Sequence, residues 1–214
     1  METVALIDYG SGNIRSAEKA LWEAARRANR RREIRVTADP DLVARADRIV
    51  LPGVGAFADC KAGLEAVSGL KEALVARVQG DGVPFLGVCV GMQLMAQAGV
   101  EFGRHEGLGW IAGEVRALAP ADPGLKIPHM GWNALSPARH PIAVAAWGAG
   151  ATPEVYFVHS YALTGANPAH VVQTCDYGGA FPALVAQDNM MGAQFHPEKS
   201  QAAGLALLSA WLAQ

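Results

Sequence analysis

With 214 residues, 51% hydrophobic and 18% charged, the chain can bury a sizeable core, which excludes the polar, highly charged regime of disordered chains. A formal net charge of -2 offers no basic face for neutralising phosphates, so nucleic acid is excluded as the main partner. The three cysteines, Cys60, Cys89 and Cys175, are odd in number and form no CxxC pair. That argues against a disulfide framework or a zinc site and makes a reducing cytoplasm the expected compartment.

Met1 and Glu2 lead straight into the apolar run Val4 to Ile7, without the basic segment and longer apolar stretch of a secretory signal. No run reaches the roughly 18 apolar residues of a membrane span. Val4 to Asp8 reads as a strand, a helix starts at about Asn13, and strands follow at Ile34 to Thr37 and Arg48 to Leu51. This alternation implies parallel strands joined by crossovers. Between them, the cations Arg26, Arg27, Arg30, Arg31, Arg32 and Arg35 suit a solvated helix end complementing the macrodipole, with a partner or anion site as the alternative.

Helical patterns over Leu64 to Gln79 and Gly91 to Ala98 flank Pro84 to Val88, a run apolar enough for a buried central strand. From Gly113 onward, strands between Pro and Gly turns are expected at Glu114 to Leu118, Val155 to His159, His170 to Cys175 and Leu184 to Gln187, as antiparallel additions. A last strand, Met191 to Phe195, precedes a helix over Ser200 to Leu212 with Leu205, Leu208 and Leu212 on one face. There is no internal repeat and no linker. Residues 1–214 therefore read as one α/β domain, a mostly parallel central sheet flanked by helices with antiparallel strands added in the C-terminal half.

The segment Gly87-Val88-Cys89-Val90-Gly91 sets a cysteine between two glycines at the junction of a strand and a helical pattern. This is the form of a nucleophile elbow, in which small flanking residues let a tight turn expose the reactive atom. A helix starting there directs its positive end at the sulfur, and the N–H of Val90 is placed to donate to an oxyanion. A buried cysteine in a glycine-rich turn reads the same way at this level. Cys60 and Cys175 lack such neighbours and read as structural.

A thiol nucleophile needs an imidazole, and the imidazole a third group to fix its tautomer. His196-Pro197-Glu198 offers both, because residues two apart in an extended segment point the same way. A solvated surface turn is the alternative. His105 and His140 lie in polar or Pro-flanked loops, and His170 has no acid two residues on.

Cys89 in Gly-Val-Cys-Val-Gly-Met-Gln with the distant His-Pro-Glu resembles the triad of the class I glutamine amidotransferases. The likeness extends to Ile7-Asp8-Tyr9-Gly10-Ser11-Gly12-Asn13, Leu51-Pro52-Gly53-Val54-Gly55-Ala56-Phe57, Pro128-His129-Met130-Gly131-Trp132-Asn133 and Val158-His159-Ser160-Tyr161. Over nearly the whole chain these resemble the glutaminase subunits of imidazole glycerol phosphate synthase. The resemblance implies attack of Cys89 on the side-chain amide of L-glutamine, a glutamyl thioester, and proton transfer by His196 held by Glu198. It implies a second oxyanion donor at Val54, a glutamine pocket with Gly55, Gln93, Glu101, Ser160 and Tyr161, and a structural rather than catalytic role for His159.

It further implies a (β/α)₈-barrel cyclase subunit as partner, met by Met130 and Trp132 and, near the junction, by Asn13 and Lys199, with neither metal nor cofactor on this chain. The length of the Arg-rich stretch and Ala162 after His-Ser-Tyr depart from the family pattern without touching the triad. The rival readings are the glutaminase of another ammonia-channelling synthase, such as that serving pyridoxal phosphate synthesis, a non-catalytic docking module, and a free-standing cysteine hydrolase of γ-glutamyl bonds.

Overall fold

The computed structural model describes residues 2–214. In chain order its first half comprises β1 (Glu2–Ile7), α1 (Ile14–Arg27), β2 (Arg32–Thr37), α2 (Pro40–Val43), β3 (Arg48–Gly53), α3 (Phe57–Ala66), α4 (Leu70–Val75), β4 (Phe85–Cys89), α5 (Val90–Gln93), β5 (Ala96–Gly99), β6 (His105–Glu106) and β7 (Ile111–Ala117). The second half comprises β8 (His129–Ala134), α6 (Pro141–Trp147), β9 (Glu154–His159), β10 (Tyr161–Thr164), β11 (Val171–Asp176), β12 (Ala180–Gln187), β13 (Met190–Ala193) and α7 (Gln201–Ala213).

The main sheet runs β11-β12-β13-β4-β3-β1-β2. From β13 to β2 every pairing is parallel, and β12 and β11 extend that edge antiparallel. Helices cover both faces of the parallel part, so its strands are almost continuously apolar: Val4 to Ile7, Ile49 to Leu51, and Phe85 with Leu86 are buried. The antiparallel additions fall in three places, namely this edge, the β8-β9 ribbon, and a second sheet β10-β7-β5-β6. That second sheet is mixed, because β5 pairs parallel with β7.

Four expectations are corrected. The helix expected over Leu64 to Gln79 is two helices and a π-helical turn, Ala76–Gly80, because Val67 is extended and Gly69 adopts φ +80, a conformation that glycine tolerates and a helix does not. The helix expected over Gly91 to Ala98 is one turn, α5, followed by strand β5. All residues of the two elements but Gln97 are buried, so the helical periodicity there carried little amphipathic information. The last strand ends at Ala193 rather than Phe195. In α7 the buried set is Gly204, Leu207, Leu208, Trp211 and Leu212, with Leu205 only partly covered, because the helix packs against both α1 and α6.

The arginine patch also divides. Arg26 and Arg27 pair with Glu23 at the exposed end of α1, and Arg30, Arg31 and Arg35 are exposed. Arg32, however, is buried and donates to the carbonyl of Leu212 at 2.8 Å, while Arg48 donates to that of Trp211 at 3.1 Å. Together they cap the C-terminus of α7, where unpaired carbonyls concentrate negative potential, and Glu2 pairs with both arginines. No helix among the described residues is long and apolar enough to cross a membrane.

Candidate active site

The C-terminal ends of β3, β4 and β13 lie side by side, with Gly53 opposite Cys89 and Ala193 opposite Val88, the edge where open α/β sheets place their ligands. Cys89 ends β4 at φ +52, ψ −111, a strained conformation for a residue with a side chain. The two glycines explain how the turn closes. A Cβ on Gly87 would stand 2.6 Å from the carbonyl oxygen of Gly91, and one on Gly91 would stand 1.8 Å from that of Leu51. Any side chain at either position would push the elbow off the sheet. Since α5 has a single turn, the expected helix dipole at the sulfur reduces to the N–H groups of that turn.

His196 and Glu198 meet across a 3-10 turn, Pro197–Lys199, and not along an extended strand as the spacing suggested. Nδ1 of His196 lies 2.9 Å from Oε1 of Glu198. A carboxylate only accepts, so the proton sits on Nδ1 and Nε2 is left for chemistry. That Nε2 is buried without a regular hydrogen bond, on the side of Cys89. Burial by itself pushes the imidazole pKa down, but the neighbouring Cys89 sulfur and the Glu198 carboxylate outweigh it and raise the value to about 9. The backbone is fastened behind the ring: His196 N–H donates to Tyr156 O, and Ser200 Oγ both donates to His196 O and accepts from Tyr156 N–H.

A cleft of about 690 Å³ opens over these groups, lined by Gly12, Asn13, Val54, Gly55, Cys89, Val90, Gln93, Glu101, Pro128, Val158, His159, Ser160, Tyr161, His196 and Lys199. The cleft thus gathers Cys89, His196 and every residue expected to meet the substrate, with Asn13 and Lys199 included, while Glu198 touches His196 from outside its lining. Met130 and Trp132 stand outside it on β8, 61% and 46% exposed. Trp132 is a surface residue, edge-on to Tyr156, whose ring also carries the Lys199 ammonium 5.8 Å from its centroid.

Several groups are already engaged. Oε2 of Glu101 accepts from Phe57 N–H at 2.9 Å. The Gln93 amide nitrogen donates to Tyr161 O at 2.9 Å and to Gln194 Oε1 at 3.1 Å, so only its carbonyl oxygen is available to a ligand. Tyr161 O also accepts from His159 Nδ1, whose other nitrogen meets His129 Nδ1 at 3.1 Å. Burial pushes both histidines down to about 4, which suits a neutral, structural pair.

Val54 differs from expectation. Its N–H donates to Ser11 Oγ at 3.1 Å, and the same hydroxyl donates back to Val54 O at 2.6 Å. The amide expected to serve as an oxyanion donor is therefore turned onto Ser11. Sequence reading passed over Ser11, whose signal lay only in its place between Gly10 and Gly12. It also passed over Gln194, which is fully buried with its amide nitrogen 3.8 Å from the Cys89 sulfur. The clue to Gln194 was a polar residue beside Phe195 at the end of an apolar strand.

Comparison with known proteins agrees with this geometry. Residues 5–212 match the family model described as glutamine amidotransferase class-I. A relative from Caulobacter vibrioides, described as imidazole glycerol phosphate synthase subunit HisH, is 60% identical over 99% of this chain and 98% of its own length. One from Rhodospirillum rubrum with the same description is 56% identical over 98% and 97%. Among solved structures, a crystal structure of a glutamine amidotransferase has a TM-score of 0.67 at 18% identity, covering 91% of this chain and 90% of its own, a likeness of fold. With its elbow cysteine, the facing His-Glu pair and a family match over almost its whole length, the chain belongs to the class I glutamine amidotransferases.

Proposed function

We propose that this chain is the glutaminase subunit of an imidazole glycerol phosphate synthase, hydrolysing L-glutamine to glutamate and ammonia for a (β/α)₈-barrel cyclase subunit in histidine biosynthesis. The observation that carries the chemistry is the elbow cysteine facing a His196 whose far nitrogen is bonded to Glu198, in a cleft containing a carboxylate and an amide. The identity to the HisH relatives over full length supports the choice of synthase.

In this reading the Cys89 sulfur attacks the side-chain carbonyl carbon of glutamine, and the oxyanion accepts from Val90 N–H. The proton that Nε2 of His196 took from the Cys89 thiol then goes to the departing nitrogen, so ammonia leaves and a glutamyl thioester remains. Water then attacks the thioester, passing a proton to His196, and glutamate leaves as the sulfur is regenerated. Glu101 pairs with the α-ammonium through its free oxygen, and the Gln93 carbonyl, Gly55, Ser160 and Tyr161 complete the pocket. Val54 supplies a second oxyanion donor once its amide leaves Ser11, so the isolated chain is expected to turn over slowly. The exposed Met130 and Trp132, with Asn13 and Lys199 at the cleft mouth, form the cyclase contact. Three buried free cysteines suit a reducing cytoplasm.

The test is glutamate release from glutamine by the isolated chain, and again with a cyclase subunit and its nucleotide ligand. Strong stimulation supports the proposal, equal rapid hydrolysis in both supports a free-standing hydrolase, and silence in both supports a docking module. Cys89→Ala should abolish glutamine use while ammonia-dependent synthesis by the complex persists.

A further inference from the structure

The hydrogen bonds behind the nucleophile form a chain whose direction is set by one group that can only accept. Tyr161 O takes donors from Gln93 Nε2 at 2.9 Å and His159 Nδ1 at 2.9 Å. A carbonyl has no proton to give, so the nitrogen of the Gln93 amide must face it, and that same nitrogen lies 3.1 Å from Gln194 Oε1. The Gln194 oxygen is then committed to Gln93, and its amide nitrogen must face the Cys89 sulfur, 3.8 Å away. His159 anchors the other side of the same carbonyl. With Nδ1–H donating there, its Nε2 accepts from His129 Nδ1 at 3.1 Å, and low pKa values of about 4 keep both rings neutral. Gln93, Gln194, His129 and His159 are all buried, so their orientation is set by these protein contacts.

We propose that Gln194 is a further active-site residue, its amide N–H held toward the Cys89 sulfur by the Gln93 and Tyr161 contacts, so that it holds the nucleophile in place and stabilises charge on the sulfur. It touches the reacting atom from the side of β13, whereas His196 follows the end of the same strand, so the sulfur has two polar neighbours of different function. His196 transfers protons, while Gln194 has none to transfer and acts only as a fixed donor. A neutral donor beside a charged acceptor contributes more than a neutral pair does, and burial strengthens it further. The inference rests on Cys89 being the nucleophile of the proposed reaction.

The test reads the sulfur directly, so that it does not depend on glutamine being the substrate. The rate of Cys89 alkylation by iodoacetamide at fixed pH is followed by mass spectrometry in wild type, Gln194→Glu and Gln194→Leu. Gln194→Glu keeps the oxygen that Gln93 needs and replaces the donor with an acceptor, and a fall of about ten-fold or more is expected. Gln194→Leu should fall similarly, and adding Gln93→Leu to either variant should change the rate by less than the single Gln93→Leu does in wild type, because the two act through one contact. A rate within two-fold of wild type in folded Gln194→Glu overturns the proposal. Should neither variant fold, the side-chain amide signals of Gln194 in the wild-type ¹⁵N spectrum decide. They should move on Cys89→Ser more than those of other buried side-chain amides, and an unmoved pair refutes the contact. Normal alkylation loss alongside absent glutamate release would instead fail the glutaminase reading and leave the Gln194 contact standing.

Discussion

Removing the sulfur with Cys89→Ala tests the electrostatics of the triad most directly. His196 is held at about 9 against an ordinary 6.5, a rise worth about 3 kcal/mol in favour of the charged ring. Burial alone pulls in the opposite direction, and the largest raising influence is the Cys89 sulfur, ahead of Glu198. A histidine raised in the folded state contributes stability that is fully present below about 6.5 and is lost as pH rises through about 9. In Cys89→Ala the titration of His196 should therefore move down by more than a unit, because burial remains while the strongest compensating group is gone. Histidine-selective NMR titration of both proteins gives the two midpoints, and denaturant melts between pH 6 and pH 10 should show a steeper alkaline loss in wild type than in the variant. A His196 midpoint that stays near 9 without the sulfur refutes the reasoning and assigns the whole effect to Glu198.

Three further outcomes are expected. Ser11→Ala frees the Val54 amide from its side-chain partner and should raise basal glutamate release several-fold while shrinking stimulation by the partner; unchanged release in a coupled glutamate assay would count against the Ser11 contact as the restraint. Trp132→Ala removes an exposed aromatic ring from the proposed cyclase contact and should weaken association by about 2 kcal/mol, read by calorimetry, with a dissociation constant within two-fold of wild type placing the contact elsewhere. Arg32→Leu leaves the Leu212 carbonyl without its donor and should cost about 1–3 kcal/mol of stability, seen as a lower melting temperature with kcat unaffected; an unchanged melt would show that Arg48 suffices.

The proposed chemistry was legible wherever a residue type and its spacing admit few other purposes. The elbow glycines at 87 and 91 mark a tight turn with no room for side chains, which a reader of Gly-Val-Cys-Val-Gly can infer from sterics alone, whereas the approach of Gly91 to β3 came from the fold. His196 and Glu198 were recognisable as a pair, although the turn that joins them was not, because an extended segment and a 3-10 turn differ in backbone angles that Pro197 permits equally. The apolar strand runs at Val4 to Ile7 and Phe85 to Val88 were equally plain, since only strands covered on both faces lack alternation.

What the chain's own order of residues determined was thus the elbow cysteine, the His-Glu pair proposed to serve it, the parallel sheet that carries them and the family. What only the tertiary structure decided was every contact between segments distant in sequence. Arg32, which local charge patterning assigned to solvent, is buried because the end of α7 arrives from 180 residues away with unpaired carbonyls. Val54, whose glycine neighbour suggested a free amide, is held by a hydroxyl 43 residues earlier. Gln194 faces Cys89 because a carbonyl at Tyr161 fixes the amide between them. Local sequence constrains backbone conformation and hydrophobic periodicity, whereas the partner of a buried polar group is settled by which elements pack together, a non-local property that no single stretch of residues encodes.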